Sequence, residues 1–201
     1  MNTIRIGHQD ALPDLEYAYD GLIEHVLDEL DAPGIVTVPL MRAHIWAESR
    51  MNPLAISPTG PAGLGQFALL TWNDGIRRDW MEMMGMPRQR FDIFKSVWRM
   101  AEHFLSLVAW YSRSGCKGED IIKLALAAYN QGQGSVMRGQ AMASDMGGDR
   151  HSWDSVAAVI DRVLPEGRAA EVRRYVPAIL ERRDYYLSAS IVGRPPDEVI
   201  A

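Results

Sequence analysis

The apolar positions of the chain recur at helical spacing almost throughout. From Asp14 to Asp31, Leu15, Tyr19, Leu22, Ile23, Val26, Leu27 and Leu30 share one helical face, and Pro33-Gly34 breaks the pattern. A second helix is predicted after Thr37, with Pro39 tolerated in its first turn, running through LMRAHIWAES to a stop at Asn52-Pro53. NPLAISPTGPAG is too rich in turn formers to be regular, so the chain is expected to wrap over a surface cleft there. Between Phe91 and Ser114 the spacing of Phe94, Val97, Trp98, Ala101, Phe104, Leu105 and Val108 predicts a long amphipathic helix closed by Gly115. DIIKLALAAYN, Asp120 to Asn130, is apolar nearly all round and reads as a central helix. Further helices are expected over Ser152 to Leu164 and Ala169 to Ser190. No alternating segment is long enough for a major sheet, so the predicted class is mainly α.

Composition narrows the function. With 47% hydrophobic and 23% charged residues in 201, the chain can bury the core of one domain. A net charge of −5 argues against a nucleic-acid partner, although Arg173, Arg174, Arg182 and Arg183 could form a local basic patch. The only cysteine, Cys116, has no partner for an intramolecular disulfide and reads as incidental. MNTIRIGHQDALPDLEYAYD has no continuous apolar run and no later stretch approaches a membrane span, so neither Sec export nor a membrane anchor is expected.

The candidate chemistry centres on Glu48. A carboxyl becomes a general acid near neutral pH when its surroundings penalise the charged form. The apolar stripe of its own helix, Met41 and Ile45, runs toward Glu48, and the negative end of the helix dipole also opposes its ionisation. Alone, such a glutamate is most simply a solvated helix edge. Downstream, however, AES at 47–49 is followed by SPTG at 57–60, GLGQF at 63–67, AAYNQG at 127–132 and EVRRYV at 171–176. In this order the motifs resemble the soluble lytic transglycosylase (SLT) family of the lysozyme-like superfamily, over roughly residues 37–187.

The resemblance implies a lysozyme-like helical domain over 37–190, with an N-terminal helical extension over 1–36 packed on it and a tail over 191–201. It implies cleavage of peptidoglycan glycan strands between N-acetylmuramic acid and N-acetylglucosamine, with no cofactor and no metal. Glu48 would protonate the glycosidic oxygen, then accept the proton of the muramyl C6 hydroxyl as that oxygen closes on C1, leaving a 1,6-anhydro end. A tethered hydroxyl needs no second carboxylate to direct water. The same resemblance gives substrate-binding roles to Ser49, Gln66, Tyr129, Asn130 and Tyr175, and all but Gln66 have a plainer alternative. Ser49 could bond helix backbone, Tyr129 could be core, Asn130 could cap its helix, and Tyr175 could be one packed aromatic on a helix surface. Gln66, whose amide can both donate and accept, would face the glycan.

The chain departs from the family pattern at Gly65, where methionine is usual, at Gln131 for alanine and at Val172 for threonine. Gly65 is expected to remove an apolar wall from the sugar site and to admit water beside C1. Rival readings are a goose-type lysozyme-like hydrolase using Asp74 or Asp79, a non-catalytic glycan-binding virion component, and a metallohydrolase built on His44, four residues before Glu48 but lacking a third ligand. Without an export signal, a wall-degrading enzyme would need a phage lysis pore, virion delivery or a dedicated secretion machine. Phage origin, as an endolysin or virion enzyme, is the expectation.

Overall fold

The computed structural model describes residues 16–73 and 87–191. They form a mainly α fold of α1 (Asp20–Glu29), α2 (Val38–Ser49), α3 (Leu69–Asn73), α4 (Ile93–Arg113), α5 (Glu119–Gln131), α6 (Gln133–Asp145), α7 (Trp153–Val159) and α8 (Glu166–Ile191). Short 3₁₀ turns at Pro87–Phe91 and Ile160–Arg162 lead into α4 and follow α7. The described residues contain no strand, only isolated antiparallel bridges Ile56–Ala62 and Ala62–Phe67 in the loop after α2.

Local chemistry sets the helix ends. Thr37 caps α2 by accepting from the Leu40 N–H at 3.4 Å, with Pro39 in the first turn, as its sequence position requires. Asp92 caps α4 by accepting from the Lys95 N–H at 2.9 Å. α1 is shorter than its periodicity suggests, beginning at Asp20 after a turn through Tyr19. On α4, Val97, Ala101, Phe104 and Val108 are buried as the stripe demands, but Phe94 lies 44% exposed against Trp98, at the end of the helix where the core no longer reaches.

The all-round apolar α5 is the hub. Ile122, Leu124, Ala125, Leu126, Ala127 and Ala128 are all buried, and α4, α6, α7 and α8 pack around the helix. Its alanines let neighbouring helices approach closely, and burying each large aliphatic side chain contributes about 1.5–3 kcal/mol. α2 and α8 make the most extensive helix pairing among the described residues, which brings the two ends of the chain's functional motifs together.

One helix was not expected. α6, QGSVMRGQAMASD, carries two glycines and little apolar periodicity, yet it forms because Gly139 lets Ile160 Cδ1 and Val156 Cγ1 pack where a Cβ would lie only 2.9 and 3.0 Å away. Tertiary burial overrides the roughly 1 kcal/mol helix penalty of glycine. Three of the four arginines of the supposed basic patch disperse into separate pairs: Arg173 with Asp161, Arg182 with Glu16, and Arg183 with Glu119 and Asp184. Cys116 is buried beside His151, and burial pushes its thiol above the ordinary range, which fits an unreactive side chain.

Candidate active site

Glu48 is the penultimate residue of α2, and the chain leaves the helix abruptly after it. Arg50 and Met51 both take left-handed conformations, φ 54° and 62°. Two such non-glycine residues in succession cost on the order of 1–2 kcal/mol each. The surroundings hold them in place: Met51 is buried, and the Arg50 guanidinium stacks 3.3 Å from the centre of the Trp46 ring, whose centre lies 3.3 Å from that of Arg182 as well.

The Glu48 side chain keeps 14% of its surface exposed, enough to meet a reactant while most of it is out of water. Burial raises its pKa to about 7; a hydrogen bond from Tyr175 opposes this, and the negative charge of Glu171 adds to it. Met41 and Ile45, the apolar stripe that predicts this environment, are fully buried. The Tyr175 hydroxyl donates to Glu48 Oε1 across 127 positions of sequence. His44 Nε2 lies 3.9 Å from the same oxygen, and the Tyr129 ring centroid is 4.4 Å from that of His44. Burial, and after it the negative charge of Glu48, raises the pKa of both phenols, so they remain donors across the ordinary pH range.

The loop over residues 52–67 is stitched to this cluster from the other side. Tyr129 donates its hydroxyl to the Gly65 carbonyl at 2.8 Å, and the Gly65 N–H donates to Ser96 Oγ at 3.3 Å. Gly63, at φ 79°, lies so close to Arg90 that a Cβ would sit 1.8 Å from the Arg90 carbonyl oxygen, so glycine is required there. Gly65 corrects an expectation. A Cβ there would meet Phe67 Cε2 at 2.8 Å, Tyr129 Oη at 3.0 Å and Met100 Cβ at 3.2 Å. The space of the missing side chain is already filled by these groups, so the glycine opens no water-sized gap in that direction.

The other expected residues divide. Tyr175 makes the most direct contact with Glu48. Tyr129 joins the cluster through Gly65 and His44. Ser49 does not reach Glu48; its hydroxyl donates to the Ile45 carbonyl at 3.1 Å, the plainer of its two readings. Gln66 spends its amide N–H groups on the carbonyls of Gly63 (2.9 Å) and Ala55 (3.2 Å), bracing the loop. Asn130 donates to Glu171 Oε1 at 3.1 Å and accepts from Gln131 Nε2 at 2.6 Å, and Gln131 Oε1 accepts from Arg168 Nε at 2.7 Å. Gln131 therefore replaces a small residue with a buried link in a polar chain that ends on Glu171. Glu171 itself was missed, although it opens the EVRRYV segment; the clue was a second carboxylate four residues, one helical turn, before Tyr175. Asp74 and Asp79 lie outside the described residues. His44 is fully buried, and among the described residues no group of three or more His, Cys, Asp or Glu side chains could hold a metal.

A helix-borne carboxyl kept protonated near neutrality and contacted by a phenol, within a lysozyme-like helical frame, defines a class: the chain belongs to the transglycosylase SLT domain family, whose model matches residues 33–151. Among individual proteins, it is 32% identical over 174 residues to a membrane-bound lytic murein transglycosylase F of Thiobacillus denitrificans, covering 85% of this chain and 34% of that protein. It is 29% identical over 177 residues to the protein of the same name from Maricaulis maris (82% and 35%), and 33% identical over 164 residues to that of Vibrio vulnificus (77% and 28%). The chain thus aligns with about a third of the length of these relatives.

Proposed function

We propose that this chain is a peptidoglycan lytic transglycosylase in which Glu48 serves first as acid and then as base. The observation that carries the proposal is the Glu48 carboxyl itself, mostly buried, with a pKa near 7 and Tyr175 on Oε1. Such a group is substantially protonated at neutral pH, and its carboxylate form still has a donor waiting. In the first step Glu48 gives its proton to the glycosidic oxygen as the C1–O bond breaks. In the second, the Glu48 carboxylate takes the proton of the muramyl C6 hydroxyl while that oxygen bonds to C1. The carboxyl is regenerated and no water is consumed. The tethered hydroxyl has an effective concentration that can reach roughly 10⁵ M, so correct orientation lets it outcompete water. Ser49 and Gln66 support the site through their bonds to backbone carbonyls, and the glycan contacts expected of Tyr129, Asn130 and Tyr175 are part of the same proposal.

Hydrolysis of the same bond is the second reading, and Glu171 is the observation that favours it: a second carboxylate close enough to act on the charge of Glu48. Its Oε1 accepts from the Asn130 amide, and like charge beside Glu48 serves to keep the acid protonated. Mass spectrometry of sugar ends released from purified peptidoglycan separates the readings. Transglycosylation leaves 1,6-anhydromuramyl ends lighter by one water; predominantly reducing ends, lost in Glu171→Gln, Asp74→Asn or Asp79→Asn, would replace it with hydrolysis. Delivery to the wall by a phage lysis pore, within a virion or by a dedicated secretion machine belongs to the same proposal. The relatives carry a membrane-bound name, and among the described residues no helix is long and apolar enough to cross a membrane.

A further inference from the structure

His44 is the one residue in the Glu48 cluster that the chemistry above leaves unused. It sits one turn before Glu48 on α2, is fully buried, and is enclosed by rings from three other helices: Phe104 of α4 (5.1 Å between centroids), Tyr129 of α5 (4.4 Å) and Tyr175 of α8 (6.1 Å). Neither ring nitrogen has a hydrogen-bond partner, and the nearest carboxylate oxygen is Glu48 Oε1, 3.9 Å from Nε2. Arg42 and Ser49, the other buried polar side chains of α2, have partners in Asp20 and the Ile45 carbonyl. A side chain that only filled space among aromatic rings would be better served by leucine or phenylalanine, because an imidazole leaves polar atoms unmet.

The unmet need lies on Glu48. Once it has given up its proton, its carboxylate is mostly out of water and faces the negative charge of Glu171 on α8, with Tyr175 as its donor. The other titratable or charged groups around the pair are Tyr129 on α5, and His103 and Arg99 on α4, which act on His44 and Tyr129 respectively. We propose that His44 is a positioning residue for the reaction: with its proton on Nε2, it closes the remaining gap and donates to Oε1 of the Glu48 carboxylate that exists between the two half-reactions. Burial and His103 hold the imidazole neutral, its pKa down to about 3, so it supplies an N–H without taking the catalytic proton for itself. The inference rests on Glu48 being the acid–base group.

The test uses the full chain labelled with ¹⁵N-histidine and ¹³C-glutamate, titrated by nuclear magnetic resonance through the Glu48 transition near pH 7. The expected result is a neutral His44 protonated at Nε2 whose resonance moves as Glu48 ionises. The Glu48 titration should shift upward in His44→Phe and return toward the native value in His44→Gln, whose amide can donate. In parallel, kcat should fall roughly 10- to 100-fold in His44→Phe with KM little changed, and should be partly rescued in His44→Gln. An Nδ1–H tautomer throughout the titration, or a Glu48 titration unmoved in His44→Phe, overturns the role of His44 while an inactive Glu48→Gln leaves the acid–base reading in place. A fully active Glu48→Gln overturns both.

Discussion

Arg42 and His44 stand two residues apart on α2 and are buried to nearly the same degree, 3% and 0% exposed, yet their surroundings are opposite. Arg42 faces α1, where Asp20 accepts from its Nε (2.6 Å to Oδ1) and its Nη2, leaving only Nη1 without a partner, and the rings of Tyr17 and Tyr186 lie 4.3 and 4.6 Å from its guanidinium carbon. Its charge is kept because it is matched. His44 faces the Glu48 cluster, where both ring nitrogens are unmatched and the adjacent carboxyl is held toward its protonated form. One side of the helix stabilises the docking of α1. The other stores an unmet hydrogen-bonding capacity beside a proton donor, the pattern expected where chemistry rather than stability sets the residue.

Glu48→Gln is the strongest test of the distinction. It should fold yet lose wall-lytic activity by about 10²–10⁴-fold or more, since general acid–base catalysis is worth that much and the proposed mechanism asks one group to serve both steps. On the opposite side of α2, Asp20→Ala should cost about 3 kcal/mol in denaturant unfolding by stranding the buried Arg42 charge, while activity of the folded fraction remains. Loss of activity in proportion greater than loss of folded protein would show that the two sides are coupled.

The pH dependence sharpens the comparison. Because the folded pKa of Glu48 lies above its ordinary value of 4.5, its contribution to stability is fully present below that value and is lost as pH rises through about 7. Glu48→Gln should therefore match the native protein in mild acid and exceed it by on the order of 3 kcal/mol above neutrality, as read from unfolding at the two pH values. Activity of the native protein should fall on the alkaline side of about pH 7 as the acid is lost. The smallest effect is expected for Tyr175→Phe. Losing a hydrogen bond that lowers the Glu48 pKa should move the alkaline limb upward and reduce kcat about tenfold. An unmoved limb would return Tyr175 to a packing role.

The helices α2, α4 and α5 could be read from the chain alone because their signals are local: the Thr37 cap and Pro39 of α2, the apolar stripe of α4 and the continuous apolar run from Ile121 to Ala128 act within a few residues of themselves. Glu48 was legible for the same reason, as a carboxyl at the end of an apolar stripe followed by motifs in a set order. The partners of that carboxyl were not. The contact of Tyr175 with Glu48, the nearby charge of Glu171, the filled space at Gly65 and the enclosure of His44 depend on α8 docking against α2, and on the loop at Gly65 folding onto α5. α6 belongs with them, since Gly139 weakens a helix locally and strengthens it only against Ile160 and Val156. Sequence by itself singled out the carboxyl on which the proposed chemistry rests and most of the segments that coil. Tertiary structure decided that group's protonation and its partners, because burial and hydrogen bonding are properties of what surrounds a residue rather than of its neighbours along the chain.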